Sequence, residues 1–88
     1  VAIGWDRAVS GDFDAALRIE VENRPGVLAQ VAAAIAHAES NIDRVEYLER
    51  DTRIAAIRFA IEVSDRKHLA EVIRRIRRLN VVHGVQRI

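Results

Sequence analysis

The 88-residue chain has no cysteine, no methionine, a single proline and few aromatic residues. Without cysteine, neither a disulfide framework nor a thiolate metal site can form, which agrees with a reducing cytoplasm. No apolar run approaches the roughly 18 residues that cross a bilayer, and the N-terminus lacks the pattern of a signal peptide. We therefore expect a cytoplasmic domain without membrane contact.

The charge balance is nearly even. Fourteen basic and 13 acidic residues give a net charge of +1, which argues against a domain that binds nucleic acid through its overall charge. Half of the residues are apolar and 31% are charged, as in folded domains and unlike disordered tails. Because the chain begins at Val1 and lacks methionine, we expect it to be a segment of a longer protein.

The first half of the chain changes from a strand pattern to a helix pattern. Apolar residues alternate with polar ones from Phe13 to Val21, which predicts a half-buried strand. Asn23-Arg24-Pro25-Gly26 then interrupts the strand, and Pro25 suits the first position of a helix. Apolar residues at helical spacing predict that this helix buries Leu28, Val31, Ala32, Ile35 and Ala36.

The second half predicts two strands, a helix and a last strand. Residues 41–50 alternate imperfectly, with a bulge expected near Arg44, and Asp51-Thr52 makes a tight turn. The third strand alternates cleanly, and Ala56, Arg58, Ala60 and Glu62 are expected to face outward. Ser64 or Asp65 caps a second helix with a buried stripe of Leu69, Val72, Ile73, Ile76 and Leu79. Residues 81–88 form the last strand.

This order, βαββαβ, predicts an α+β ferredoxin-like fold. Two right-handed crossovers place both helices on one face of a four-stranded antiparallel sheet. The other face then needs a cover or a partner, and side-by-side dimerisation would protect the strand edges. We assign residues 1–12 to a linker or lead-in, in which Trp5 is expected to cover an edge, and residues 13–88 to the domain.

Several short motifs resemble those of a known family. Residues 23–29, followed by Ser40-Asn41-Ile42, resemble the ACT-domain signature. Trp5 before residues 11–13, the helix start at residues 65–70 and the last strand at residues 82–87 resemble the C-terminal ACT domain of RelA/SpoT-type (p)ppGpp synthetase/hydrolases. The resemblance covers residues 5–88, nearly the whole chain.

The resemblance implies a regulatory ACT domain that carries no catalytic residue, cofactor or metal. It implies a parent enzyme with GTP diphosphokinase and (p)ppGpp 3'-diphosphatase activities, whose catalytic domains this segment would regulate. Family ACT domains pair as homodimers and often hold an amino acid near the first loop and first helix. The binding candidates by resemblance are Asn23, Gly26, Val27, Leu28, Asn41 and Ile42.

The chemistry of a helix start supports these candidates. Free backbone N–H groups and the positive end of the helix dipole suit a ligand carboxylate, and Gly26 permits close approach. An apolar ligand side chain could rest on Val27, Leu28 and Ile42, while Asn41 could bond the ammonium or carboxylate group. A branched-chain amino acid is the favoured ligand.

Other functions fit parts of the sequence. A basic second helix could contact the ribosome, another RNA or a protein partner, or could simply be solvated; its residues are Lys67, Arg74, Arg75 and Arg78. A dimerisation unit without a ligand also stays open. An RNA-recognition motif would need exposed aromatic residues on its central strands, and an acylphosphatase-like enzyme would need a glycine-rich phosphate loop. His37, His68 and His83 show neither metal-site nor triad spacing.

Overall fold

The computed structural model describes residues 13–88 and confirms the βαββαβ order. The elements are β1 (Phe13–Glu22), α1 (Val27–His37), β2 (Asn41–Arg50), β3 (Ile54–Val63), α2 (Arg66–Arg77) and β4 (Val82–Arg87). The lead-in and the prediction for Trp5 lie outside the described residues. Within residues 13–88, neither helix is long and apolar enough to cross a membrane.

The four strands form one antiparallel sheet in the order β2-β3-β1-β4. Alternate residues of β1 and β3, including Leu17, Ile19, Phe59 and Ile61, are fully buried against both helices. Phe59 is the largest of these side chains and lies at the centre of the core. The period-two pattern therefore predicts the helix-covered face of the central strands correctly.

The start of α1 differs from the prediction by two residues. Pro25 lies in the turn before the helix, and Gly26 is the N-cap residue, with φ 85° and ψ −9°. The helix consequently begins at Val27, whose side chain is only 3% exposed, while Ala36, predicted to be buried, is exposed. Val31 and Ile35 are buried as predicted, and Val27 completes the buried stripe.

The capping prediction for α2 is confirmed at Asp65. Its carboxylate accepts a hydrogen bond of 2.7 Å from the backbone N–H of His68. The predicted stripe is also correct, because Leu69, Val72 and Ile76 are buried and the remaining two members, Ile73 and Leu79, pack against the core.

Strand β2 is an edge strand with two irregularities. The expected bulge lies between Ile42 and Arg44, and a second one separates Tyr47 from Glu49. Three large apolar side chains of this strand are about 40% exposed: Val45, Tyr47 and Leu48. Such an exposed apolar edge is a ready surface for pairing with another chain.

The open face of the sheet is covered by its own charged side chains. Arg18 on β1 pairs with Glu20 at 2.7 Å and reaches Glu49 on β2 at 3.6 Å, while Arg58 on β3 pairs with Glu46 at 3.2 Å. Beneath them Ala56, predicted to face outward, is only 2% exposed. These side chains shield part of the small apolar floor of this face, and the expectation that the face takes a separate cover or partner stays a prediction.

Candidate functional site

The β1–α1 loop, residues 23–26, carries the first group of predicted binding residues. Among residues 13–88 no side chain caps the start of α1. The Val27 N–H donates to Arg24 O at 3.3 Å, which leaves the N–H groups of the next residues of the first turn to an anion. The Asn23 side-chain amide donates to the carbonyl oxygen of Asp51 at 2.5 Å. The backbone N–H of Asn23 donates to the carbonyl oxygen of Arg53 at 2.8 Å. Asn23 therefore anchors the loop to the β2–β3 turn.

The β2–β3 turn, residues 51–53, is held by a carboxylate. The Asp51 side chain accepts hydrogen bonds of 2.9 Å from the backbone N–H groups of Ile54 and Arg53. These bonds lower the pKa of Asp51 below its usual 3.8, with the Ile54 contact the larger cause. The β1–α1 loop thus rests on a well-defined turn.

A cleft of about 500 Å³ lies beside this anchor. Its charged side chains are linked by Glu22, which contacts Arg24 at 3.0 Å and His83 at 3.8 Å. Arg53 and Ile54 complete the wall of the cleft. The loop end of the domain is therefore concave and carries both signs of charge.

The second group of predicted binding residues, Asn41 and Ile42, begins β2. Asn41 pairs with Glu62 across the sheet, and its amide donates to the Asp43 carboxylate at 3.3 Å. A smaller cleft of about 250 Å³ adjoins Asn41 and is lined by Glu39, Glu62, Val63, Ser64 and His68. His68 closes this end of the domain, because Nε2–H donates to Ala38 O at 2.7 Å and Nδ1 accepts from Ser64 N–H at 2.9 Å.

The structure does not bring the six predicted residues together within one chain. Asn23 contacts Arg53 at one end of β3, whereas Asn41 pairs with Glu62 at the other end, about 30 Å away along the strand. Because the Val27 side chain is buried, Val27 can contact a ligand only through its backbone. The Leu28 side chain is half-buried. One copy therefore presents two half-sites, and the assignment of these residues to a ligand stays a prediction.

Four apolar side chains lie on the flank of the domain formed by β2 and α1. Val45 and Tyr47 lie on the exposed part of β2, and helical spacing places half-buried Leu28 and Ala32 on the flank of α1 that faces away from α2. We call these four residues the apolar ledge. Arg50 extends it, with its guanidinium 4.1 Å from the centre of the Tyr47 ring.

The basic residues predicted as a contact surface lie on α2. Arg75 and Arg74 contact the Glu71 carboxylate at 2.9 and 3.3 Å, respectively, while Lys67 and Arg78 make no ion pair within residues 13–88. Arginines in the last helical turn also complement the negative end of the helix dipole. Part of this charge is thus explained by helix stability.

Sequence reasoning missed one cluster on the open face. The carboxylates of Asp14, Asp43 and Glu62 lie within 4.8 Å of one another, although they come from three different strands. Only the pairing of Asp14 with Glu62 and the bulge at Asp43 bring them together. Exposed acidic groups often meet in this way without binding an ion.

The sequence matches a known domain family over nearly its whole length. The ACT domain model matches residues 10–87, and the observed strand order is the one expected for that fold. The chain belongs to the ACT domain family.

Among curated proteins, the ACT domain is similar to segments of stringent-response enzymes. It is 34% identical over 77 residues to the bifunctional (p)ppGpp synthase/hydrolase SpoT of Escherichia coli, covering 88% of the chain and 11% of that protein. It is 28% identical over 88 residues to RelA of Mycobacterium tuberculosis, covering the whole chain and 12% of that protein. The chain therefore spans about a ninth of these relatives, and the matched segment is a regulatory domain of the ACT type.

A solved structure supports the same assignment. The ACT domain of a GTP pyrophosphokinase from Chlorobium tepidum superposes with a TM-score of 0.75 at 26% identity, covering 88% of this chain and 99% of that one. That crystal structure contains the ACT domain by itself. The recognition of a RelA/SpoT-type ACT domain from sequence is thereby confirmed.

Proposed function

We propose that this ACT domain is the amino-acid-sensing module of a cytoplasmic (p)ppGpp synthetase/hydrolase and that it works as a homodimer paired through β2. A branched-chain amino acid binds at the dimer seam and biases the packing of the catalytic domains of the parent chain. The domain itself performs no chemistry. The observation that carries this proposal is the separation of the two half-sites along one exposed apolar edge.

Antiparallel pairing of two β2 edges would reunite the half-sites. In a two-fold arrangement centred between Val45 and Glu46, Asn41 of one copy lies beside Arg50 of the other. Arg50 directly precedes Asp51, which holds the β1–α1 loop through Asn23. The paired β2 edges therefore bring the β1–α1 loop of each copy beside the β2 start of its partner, once at either end of the pairing. The two apolar ledges face each other.

The two half-sites are complementary to a free amino acid. The uncapped N-terminus of α1 offers backbone N–H groups to the ligand carboxylate. Asn41 and the carboxylates of Glu39 and Glu62 line the other half-site and suit the ammonium group. Leu28 and Ile42 supply apolar surface for a branched side chain.

The anchored β1–α1 loop couples ligand binding to the dimer edge. Asn23 and Asp51 connect the β1–α1 loop to the turn that ends β2, so a shift of the loop is transmitted to the paired strand. Regulation follows only if the ligand binds one arrangement of the parent enzyme more tightly than the other. The arginine-rich α2 lies on a surface separate from this edge.

The proposal is tested by titrating the 88-residue chain with valine, leucine and isoleucine while following backbone amides by NMR. We expect saturable shifts at Gly26, Leu28, Asn41 and Ile42 together, although the first pair and the second pair lie at opposite ends of one copy. Shifts confined to one end, or absent at millimolar ligand, would contradict a shared site.

A pair of edge variants separates dimerisation from direct ligand contact. Val45→Lys places a charge on the apolar ledge and is expected to yield monomers in sedimentation experiments and to abolish ligand binding. Ile88→Lys is the matched control, because Ile88 is a large exposed apolar residue, at 63%, beside the opposite edge strand. If Val45→Lys remains dimeric, or binds ligand as a monomer, the proposed seam is wrong.

A further inference from the structure

The two helices form a groove on the outer surface of the domain, away from the sheet. Its volume is about 350 Å³, and its apolar lining is made by Ala33, Ala34 and Leu79. Gln30 and His37 border it on α1, while Arg75 and Arg78 border it on and after α2. The groove thus has an apolar, small-residue floor with a basic rim on one side.

The basic rim is part of a strong local excess of positive charge. Residues 71–79 contain four arginines and one glutamate, and Glu71 already contacts both Arg74 and Arg75. Arg77 reaches the carbonyl oxygen of Val85 at 3.4 Å, but Arg78 has no ion-pair partner among residues 13–88. The opposite rim, on α1, carries no arginine or lysine and no carboxylate between Val27 and His37.

We propose that this interhelical groove is the docking site for an acidic amphipathic helix of a partner protein. Small side chains at Ala33 and Ala34 allow a helix to approach closely, and Leu79 contacts its apolar face. Glutamates or aspartates along one flank of that helix pair with Arg75 and Arg78. The inference does not depend on the amino-acid site.

A helical peptide fits this surface better than RNA does. The groove floor is apolar, whereas an RNA contact needs phosphate ligands throughout or aromatic side chains on which bases stack. Phe13, Tyr47 and Phe59 belong to the strands, and none borders the groove, so His37 is the one ring of the described part that could stack a base there. Charge and apolar surface side by side are the features of helix-in-groove recognition.

The groove also stays open in the proposed dimer. It lies on the flank of α1 that faces α2, whereas the apolar ledge includes Leu28 and Ala32 on the opposite flank. Pairing through β2 therefore leaves the groove accessible on both copies. A partner helix and a second copy do not compete for surface.

The probe for this proposal is a synthetic helix of about 15 residues, long enough to span α1, with alanine and leucine on one face and glutamate along one flank. We expect amide shifts at Ala33, Ala34 and Leu79, and affinity that falls as salt is raised. The double variant Arg75→Glu/Arg78→Glu should weaken binding at least about tenfold and should bind a lysine-flanked peptide instead. Arg87→Glu, an exposed change at the end of β4 that touches neither the groove nor the β2 edge, is the control and should leave affinity within about twofold.

Several results would overturn the proposal. Equal binding of the glutamate and lysine peptides by the wild-type chain would exclude charge recognition. A single-stranded or hairpin RNA that binds more tightly and shifts the same amides would assign the surface to RNA. Failure of the peptide to bind the longer parent enzyme, although it binds the 88-residue chain, would mean that an internal segment already fills the groove. Because ligand titration reports on other residues, these failures are distinguishable from failure of the amino-acid site.

Discussion

Replacing Gly26 by alanine tests the backbone conformation on which the ligand half-site depends. Gly26 has φ 85°, a left-handed conformation that costs an L-residue about 1–2 kcal/mol. A Cβ atom built there meets nothing within 4 Å, so the cost comes from the backbone alone. Alanine also removes freedom from the unfolded chain, which offsets about 0.5 kcal/mol. We expect Gly26→Ala to destabilise the domain by about 1 kcal/mol.

Gly84 provides a matched control for this substitution. Its position is equally open, with no atom within 4 Å of an added Cβ, but its backbone is that of a β-strand. Gly84→Ala should therefore be neutral or stabilising by up to about 1 kcal/mol. Urea denaturation followed by circular dichroism measures both variants, and a 1 kcal/mol change corresponds to about 4–8 °C in Tm for a domain of this size. If Gly26→Ala is neutral while Gly84→Ala is destabilising, the reasoning from φ is refuted.

Three further predictions concern the ends of the sheet. Glu39 has φ 62° just after α1, so Glu39→Gly should raise the free energy of unfolding by about 0.5–1 kcal/mol; an unchanged urea midpoint would count against strain there. His68→Ala removes the contacts to Ala38 and Ser64 and should cost about 1–2 kcal/mol in the same assay, whereas exposed His37→Ala should cost less than about 0.5 kcal/mol. Because its pKa is lowered in the folded state, ionised Asp51 stabilises the fold above pH 3.8. The difference in unfolding free energy between wild type and Asp51→Asn should shrink as the pH falls through the lowered pKa of Asp51. A difference that grows on acidification would contradict this prediction.

The fold could be predicted where one side of an element is buried and the other is solvated. β1 and β3 meet this condition, and their alternation identifies the residues buried under the helices from Ala15 to Val21 and from Ala55 to Val63, whereas Ala56, buried on the open face, is missed. β2 does not, because it lies at an edge and nine of its ten residues are exposed, with only Ile42 half-buried. Its irregular pattern reflects this environment together with the two bulges.

The helix errors have a local cause. Pro25 suits a first helical position, but the left-handed Gly26 next to it ends the preceding turn and moves the first helical residue to Val27. Because each residue advances the helix by about 100°, a stripe centred on Val31 includes Val27 and Ile35, whereas Ala36 lies about 140° away from Val31 and is exposed. The sequence contains no signal strong enough to choose between Pro25 and Gly26 as the boundary.

The candidate site was less predictable than the fold because it depends on where each binding residue lies along the length of the strands. Asn23 and Asn41 are 18 residues apart in sequence, yet α1 runs back along the domain and delivers Asn41 to the opposite end. That separation follows from the register of Asn41 with Glu62 and from the anchoring of Asn23 on the β2–β3 turn. Neither pairing has a local sequence signature.

If each ligand site is shared by two copies, ligand binding and dimerisation must be linked. A ligand that contacts the loop of one copy and the β2 start of the other has its full affinity only for the dimer, so it stabilises pairing by mass action. By thermodynamic reciprocity, the factor by which the ligand strengthens pairing equals the factor by which pairing raises ligand affinity. A monomer retains only one half of the contacts, either the N–H groups at α1 or the polar groups around Asn41. The occupancy of such a shared amino-acid site would depend on the concentration of the enzyme as well as on the concentration of the amino acid.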